Sequence, residues 1–280
     1  MTISVIGIIP LILGCVITEE GLDAGTMTVG HRGLLNHAPE NSLAGFRACV
    51  DLRVGFELDV RRTNDGALVC LHDESVDRTT DGTGAVEDYS LARITSLDAG
   101  AWFDPAFAGE SVPMLDEVFR LLGGVQGDRI LVAVDLKDDD TTMAEDVVGM
   151  ARRMGVLDRL VFIGLAIDRP DLRRRIRDVD SRAHVASLAE SPAAFEAALV
   201  DPDADWVYVR SLPTSGQVDR VHAMGKRIFL AGPKVAGLEP SNWRLAAQSG
   251  VDAVLTDFPL EFRSTLRAGH RDQSARDGTP

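Results

Sequence analysis

The sequence predicts an α/β protein with the architecture of a (β/α)8 barrel, because short β-rich runs alternate with helical patterns and no linker divides the chain. Nine runs have this character: 27–31, 55–60, 68–73, 129–137, 159–165, 183–188, 205–210, 226–231 and 251–257. The third run follows the second closely across Asn64-Asp65-Gly66, and setting it apart leaves eight principal strands, as a closed barrel requires. An open doubly wound sheet is the alternative, but no glycine-rich dinucleotide loop follows the first run.

Residues that cap helices or favour their first turn precede apolar stripes between these runs. Three such starts and a further helical pattern are present: Asn41-Ser42, Pro113, Ser191-Pro192 and residues 141–154. One turn-rich stretch, 77–113, is much longer than an ordinary connection. We expect residues 74–113 to form an insertion that caps the barrel mouth.

Composition divides the chain into a barrel, residues 27–265, and two flanking segments. Residues 1–26 form an apolar extension, either a signal segment or an extra structural element, but no basic stretch precedes the apolar run. Because only one signal feature is clear, we expect a cytoplasmic protein rather than an exported or lipid-anchored one, without a stable transmembrane span. The polar tail, 266–280, is expected to be disordered.

Length and charge narrow the functional classes. A chain of 280 residues with 45% hydrophobic content can bury one full core. Its formal net charge of −14 argues against a nucleic-acid partner, so an anionic ligand requires a local cationic pocket. The three cysteines, Cys15, Cys49 and Cys70, lack metal-site or disulfide spacing and are interpreted as buried free thiols.

Acidic side chains are concentrated at the ends of the early strands. Glu57 and Asp59 are two residues apart, which places both carboxylates on one face of a strand. Asp135 can add a third carboxylate from the next barrel strand. Such a cluster suits a hard divalent cation, Mg²⁺ or Ca²⁺. The alternative is that these carboxylates pair with Arg61 or Arg62.

Histidines and cations also lie at predicted strand ends, where barrel enzymes place catalytic groups. His31 and His72 are candidates for acid–base catalysis, because imidazole can both accept and donate a proton near neutral pH. Arg32 and Lys137 suit a phosphate or phosphodiester, although simple pairing with neighbouring carboxylates is an equally good interpretation.

The order of several motifs resembles that of the glycerophosphodiester phosphodiesterase family. The matching stretches are GHRG (30–33), PENS (39–42), ELDV (57–60), TNDGALVCLHD (63–73), DRTTDGTG (77–84), LDAGAWF (97–103), FAGESVPMLDEV (107–118) and VLTDFP (254–259). The resemblance covers about 28–262 and is most specific in the first half. It implies a (β/α)8 TIM barrel with a small insertion after the second strand region.

The resemblance also implies metal-dependent hydrolysis of glycerophosphodiesters to an alcohol and glycerol 3-phosphate, with a small-molecule phosphodiester as the partner. By similarity, His31 and His72 are the acid and base, and Arg32 contacts the phosphate. Glu57 and Asp59 are metal ligands by the same similarity. Glu40 and Asn41 resemble the pair that supports Arg32 or the substrate hydroxyls, with helix capping as the alternative.

Two departures from the family pattern bear on activity. The usual Glu-x-Lys is here Asp135-Leu136-Lys137, and the usual Trp-Thr-Val-Asn is Leu230-Ala231-Gly232-Pro233. An aromatic wall for glycerol is therefore missing, and three other aromatic residues are candidates to replace it: Trp102, Phe103 and Phe229. The two departures motivate one alternative function, a non-catalytic phosphate-ligand binding protein. A second alternative is a related phosphodiesterase acting on lysophospholipids or sphingolipid-like substrates.

Overall fold

The computed structural model describes residues 25–124, 130–138 and 140–276, with side chains described as far as 268. Residues 1–24, which include Cys15 and most of the predicted N-terminal extension, lie outside the described residues. Within the described part of the chain, no helix is both long and apolar enough to span a membrane.

The described residues contain nine strands, eight of which form a closed parallel barrel. They are β1 (Met27–Gly30), β2 (Gly55–Arg62), β3 (Leu68–Cys70), β4 (Val132–Leu136), β5 (Leu160–Ile163), β6 (His184–Leu188), β7 (Trp206–Val209), β8 (Arg227–Leu230) and β9 (Ala253–Thr256). The order β1-β9-β8-β7-β6-β5-β4-β2 closes because β1 also pairs with β2. The (β/α)8 prediction is thus confirmed, and the open-sheet alternative is excluded.

Strand β3 is the run that the sequence sets apart, and it pairs with β2 in the antiparallel direction. Residues 63–67 form the turn between them, in which Gly66 adopts φ +87°. The Thr63 carbonyl accepts a hydrogen bond from the Gly66 N–H at 3.0 Å. A residue without Cβ adopts this left-handed conformation at little cost, so the turn sets the hairpin register.

Helices cover the outside of the barrel, except for α2, which lies within residues 74–113. They are α1 (Leu43–Asp51), α2 (Leu91–Ile94), α3 (Leu115–Gly123), α4 (Thr141–Met154), α5 (Pro170–Val179), α6 (Pro192–Val200), α7 (Ser215–Ala223), α8 (Pro233–Ala236), α9 (Pro240–Ser249) and α10 (Pro259–Arg276). Two of the three predicted starts hold: the Ser42 and Ser191 hydroxyls accept from Gly45 and Ala194 N–H groups. Pro113 does not open a helix, since Met114 is the N-cap of α3. Helix α4 has the predicted bounds.

The C-terminal segment differs from the disordered tail predicted from 266. Helix α10 continues to Arg276, and only 277–280 lie outside the described residues at this end. Phe262 is buried and Leu266 packs against the same cluster. Once this first part of the helix is fixed by packing, each further residue adds one hydrogen bond, so the polar residues that follow can extend it.

Residues 74–113, between β3 and α3, have a small hydrophobic cluster of their own. Val76, Val86, Tyr89, Ile94 and Val112 are buried there with two residues of the β3 region. This packing gives the segment a fixed structure where sequence pattern indicated mainly turns. That the segment acts as a cap over the barrel mouth stays a prediction.

Two cysteines provide a direct test of the core. Cys49 and Cys70 are free and buried, as predicted. Burial raises the pKa of Cys49 to about 12 and that of Cys70 well above its usual range.

Since only the thiolate reacts readily, we expect both thiols of a Cys15→Ser variant to remain unmodified by a disulfide reagent at pH 8. Two thiols should react after unfolding in guanidinium; prompt reaction of either in the native protein would contradict this packing.

Candidate active site

The carboxylates of β2 face the inside of the barrel. Phe56 stacks on Phe46 of α1, with ring centroids 4.8 Å apart, and therefore faces the surrounding helices. Because successive side chains of a strand point to opposite faces, Glu57 and Asp59 point the other way. Their exposed fractions are 2% and 0%, so two acidic groups are held away from bulk water.

Strand register brings the third carboxylate beside them. Asp59 of β2 pairs with Asp135 of β4 in the parallel ladder. Ligand oxygens of Glu57, Asp59 and Asp135 all lie within 4.8 Å of one another, and this is the one such acidic group among the described residues. Although Asp135 is one methylene shorter than the glutamate usual in the family, it reaches the cluster.

A glycine on the neighbouring strand end leaves room for Asp135. Gly164 follows β5 with φ +96°, and a Cβ built there would lie 2.0 Å from Oδ1 of Asp135. No side chain fits at that distance, so the position of the carboxylate depends on the absence of a Cβ.

Replacing Gly164 with alanine is therefore expected to displace Asp135 and, if the acidic cluster holds a metal ion, to reduce turnover by at least about tenfold, as loss of a group supporting a metal ligand does. The matched control is Gly66→Ala, which has a similar φ of +87° but open space around the added methyl. Both variants should lose about 1–3 kcal/mol of stability from backbone strain. Equal activities in the two variants would refute a specific role for the Gly164–Asp135 contact.

Two cations partly compensate the acidic cluster. Lys137 Nζ lies 2.8 Å from Asp59 Oδ1 and 2.6 Å from Asp135 Oδ2, and Arg32 Nε lies 3.4 Å from Asp59 Oδ2. Burial raises the pKa of Asp59, but Lys137 and Arg32 outweigh it and the net shift is downward. Asp59 is thus held as a carboxylate.

The pKa of Glu57 shifts in the opposite direction to that of Asp59. Burial, followed by the neighbouring charges of Asp59 and Asp135, raises its pKa well above the usual range. The charge of Lys137 and one hydrogen bond, from the Arg32 N–H to Oε2 at 2.9 Å, lower the pKa of Glu57 without reversing the shift. The alternative pairing with nearby arginines does not occur, since Arg61 bonds Asp138 and Arg62 bonds Asp146. Ionisation of Glu57 is therefore disfavoured in this cluster, and a cation held by the three carboxylates would favour its carboxylate form.

The segment after β1 wraps around this cluster. Asn41 donates from Nδ2 to Asp59 Oδ2 at 2.7 Å, and its Oδ1 accepts from the Asp59 N–H at 3.1 Å. Glu40 accepts from Arg32 Nη1 at 2.8 Å. Ser42 is the helix cap, so the side chains of Glu40 and Asn41 do not cap α1. Direct substrate contact by either residue stays a prediction.

His31 is oriented by a residue from the far end of the chain. It follows β1, and Asp257 follows β9, the strand adjacent to β1. His31 Nδ1 lies 2.7 Å from Asp257 Oδ1. A carboxylate can only accept, so Nδ1 carries the proton and Nε2 is left for another partner. Asp257 ends the predicted strand run 251–257, and the sequence pattern alone assigned it no role.

His72 has an equivalent arrangement within a single dipeptide. Its Nδ1 lies 2.7 Å from Oδ1 of the adjacent Asp73. The Leu71 N–H donates to the Asp59 carbonyl at 3.1 Å, which keeps this turn beside β2. About a third of each histidine side chain is exposed. Both imidazoles therefore have a fixed ring orientation together with access to solvent.

The aromatic candidates for a glycerol wall have different environments. Phe229 is fully buried and contacts Trp206 and Tyr208 inside the core, so it cannot touch a ligand. Trp102 is 40% exposed and contacts Phe103 edge-on within the 74–113 segment. Trp102 is thus the most accessible of the three. Gly232, where the family pattern differs, has φ +109°, and a Cβ there would lie 2.5 Å from the Arg210 carbonyl oxygen.

The donor set fits a hard divalent cation. Three carboxylates converge, and their oxygens are of the type that Mg²⁺ and Ca²⁺ prefer. Burial and the neighbouring carboxylates disfavour the ionised form of Glu57, which a bound cation would stabilise. Fold and site together define a (β/α)8-barrel protein whose carboxyl-end centre combines an acidic cluster with two carboxylate-held histidines.

Comparison with known proteins agrees with this class. The model of the glycerophosphoryl diester phosphodiesterase family matches residues 31–261. A glycerophosphodiester phosphodiesterase of Caldanaerobacter subterraneus subsp. tengcongensis is 47% identical over 113 residues, covering 40% of this chain and 45% of that protein. The crystal structure of a glycerophosphodiester phosphodiesterase from Agrobacterium tumefaciens str. C58 is 27% identical with a TM-score of 0.73, covering 85% of this chain and 99% of the other.

The chain belongs to the glycerophosphoryl diester phosphodiesterase family. A phosphodiesterase from Oleispira antarctica, solved in complex with the product sn-glycerol-3-phosphate, shares the fold with a TM-score of 0.69 at 23% identity, over 87% of this chain and 97% of that one. The chain's alignments with three curated relatives cover 45%, 38% and 36% of their lengths.

Proposed function

We propose that this protein hydrolyses glycerophosphodiesters to an alcohol and glycerol 3-phosphate. The observation that carries the proposal is the convergence of two histidines, each held by a carboxylate through Nδ1, with three clustered carboxylates on one barrel. Family membership and the product named for the Oleispira antarctica structure support the choice of substrate class.

Charge on the phosphoryl group is the first requirement of this reaction. Arg32 and Lys137 lie beside the acidic cluster and would bind the phosphoryl oxygens, which gain negative charge as the reaction proceeds. Glu57, Asp59 and Asp135 would hold Mg²⁺ or Ca²⁺. When bound, such an ion polarises phosphoryl and hydroxyl oxygens as a Lewis acid.

Proton transfer is the second requirement. One histidine would accept at Nε2 the proton of the attacking water or neighbouring glycerol hydroxyl, and the other would donate a proton to the oxygen of the departing alcohol. Asp257 and Asp73 hold the Nδ1 protons of His31 and His72. This arrangement leaves Nε2 of each ring as the atom available for proton transfer.

The proposal is tested by product analysis with glycerophosphocholine, glycerophosphoethanolamine and lysophosphatidylcholine as separate substrates. We expect glycerol 3-phosphate and the free alcohol from the first two. Preferential cleavage of lysophosphatidylcholine would favour the lysophospholipid alternative. Ligand binding to folded protein without any product would instead favour the non-catalytic alternative.

A further inference from the structure

Arg78, in the segment between β3 and α3, bonds two carboxylates at once. Its Nη1 and Nη2 donate to Glu40 Oε2 and Oε1, both at 2.8 Å. Its Nε and Nη2 donate to Asp73 Oδ2 and Oδ1 at 2.6 and 3.1 Å. One planar guanidinium is therefore fixed by four hydrogen bonds, which is the fork geometry that distinguishes arginine from lysine.

Each of these carboxylates also holds a residue of the proposed active site. Asp73 accepts from His72 Nδ1 at 2.7 Å, and Glu40 accepts from Arg32 Nη1 at 2.8 Å. The contacts therefore form a continuous chain from His72 through Asp73, Arg78 and Glu40 to Arg32. Arg78 is the central member and the only one contributed by residues 74–113.

The positive charge of Arg78 helps to hold both carboxylates in place. Without Arg78, Asp73 would be free to rotate away from His72, and Glu40, whose side chain is 12% exposed, would rely on Arg32 alone. The hydrogen bonds from Arg78 lower the pKa of Asp73 more than any other contact, and those from His72 add to this. Asp73 is thereby kept as an acceptor.

Ordinary stabilisation of the fold does not account for this arrangement. The Arg78 side chain is 45% exposed, so solvent screens its ion pairs, and even a bidentate network of this exposure stabilises the fold only modestly. We propose that Arg78 is a positioning residue, which fixes the Nδ1–H tautomer of His72 through Asp73 and the orientation of Arg32 through Glu40. The effect on turnover rests on the proposed function, whereas the effect on the His72 tautomer does not.

The kinetic test compares Arg78→Ala and Arg78→Lys with the wild type. Loss of a residue that orients a site group typically costs about 10–100-fold in activity, and we expect a fall in kcat/KM of that size for Arg78→Ala, with unchanged thermal unfolding. Arg78→Lys should recover less than half of the loss on a logarithmic scale, because one ammonium cannot span both carboxylates.

Arg93→Ala is the matched control, since Arg93 belongs to the same segment but stacks on Tyr89, 4.1 Å from the ring centroid. It should retain wild-type turnover. Coupling is measured with Asp73→Asn, which removes the carboxylate between Arg78 and His72. If Arg78 acts through Asp73, the double variant should lose less activity than the product of the two single losses. Strict additivity would overturn the proposal.

A readout independent of turnover is the tautomer of His72, measured from the ¹⁵N shifts of its ring in labelled protein. We expect a single Nδ1–H form in the wild type and in Arg93→Ala at a pH where the ring is neutral, and a mixture in Arg78→Ala. An unchanged tautomer in Arg78→Ala would refute the proposal even if activity fell. Should the wild type release no glycerol 3-phosphate, the proposed function fails, while this measurement still decides the role of Arg78.

Discussion

Alanine at His31 or at His72 is expected to lower kcat/KM for glycerophosphocholine by about 10²–10⁴-fold, the usual range for removal of a general acid or base. Each ring has one nitrogen fixed by a carboxylate and is partly open to solvent. The substitution therefore removes little packing, and the variants should remain folded. Steady-state release of glycerol 3-phosphate, with circular dichroism as the check on folding, gives the measurement.

His184 provides the matched control for this prediction. Its Nδ1 lies 2.5 Å from Asp205 Oδ2, much as in the two site histidines, but it is the first residue of β6 and so lies at the amino end of the barrel. His184→Ala should keep near-wild-type turnover. Wild-type activity in His31→Ala or His72→Ala would remove that histidine from the mechanism.

Glu57→Gln or Asp59→Asn is expected to abolish stabilisation by a divalent cation. A ligand present at 100 times its Kd stabilises the folded state by about 2.7 kcal/mol, which for a chain of this size corresponds to a rise in Tm of several degrees. EDTA-treated wild type should show this rise with Mg²⁺ or Ca²⁺. The Glu57→Gln protein should not, although it should be no less stable than the metal-free wild type, because glutamine replaces a group whose ionised form burial and the neighbouring carboxylates disfavour.

Glu190→Gln controls for nonspecific effects of losing a carboxylate. Glu190 lies just beyond β6, its side chain is 53% exposed and its nearest cation is Arg210 at 3.6 Å. The cation-induced rise in Tm should persist in this variant. A rise of equal size in Glu57→Gln and wild type would show that the acidic cluster is not the binding site.

Local sequence patterns predicted much of the fold. Runs of β-branched residues marked the strands, and Ser42 and Ser191 marked helix starts, because both signals depend on neighbours in sequence. The same locality predicted that Glu57 and Asp59 share a face. Segment 266–276 was assigned wrongly, since its helical state depends on α10 already being anchored by Phe262.

Contacts between residues that are distant in sequence could not be predicted from the sequence alone. The pairing of Asp257 with His31 depends on closure between β9 and β1, and Lys137 contacts both Asp59 and Asp135 only because β2 and β4 have the observed register. The opposite pKa shifts of Glu57 and Asp59 also depend on contacts between strands that are distant in sequence. Alternation placed both carboxylates on one face of the strand, whereas only the packed structure shows that this face is inside the barrel and which carboxylate the cations reach.

The most direct test of the central claim is release of glycerol 3-phosphate from glycerophosphocholine by EDTA-treated wild-type protein, before and after addition of Mg²⁺ or Ca²⁺. We expect negligible release before addition and recovery with at least one of these ions, and no recovery in the Glu57→Gln protein. Undiminished release in EDTA, or no release from folded protein with either ion, would contradict the claim.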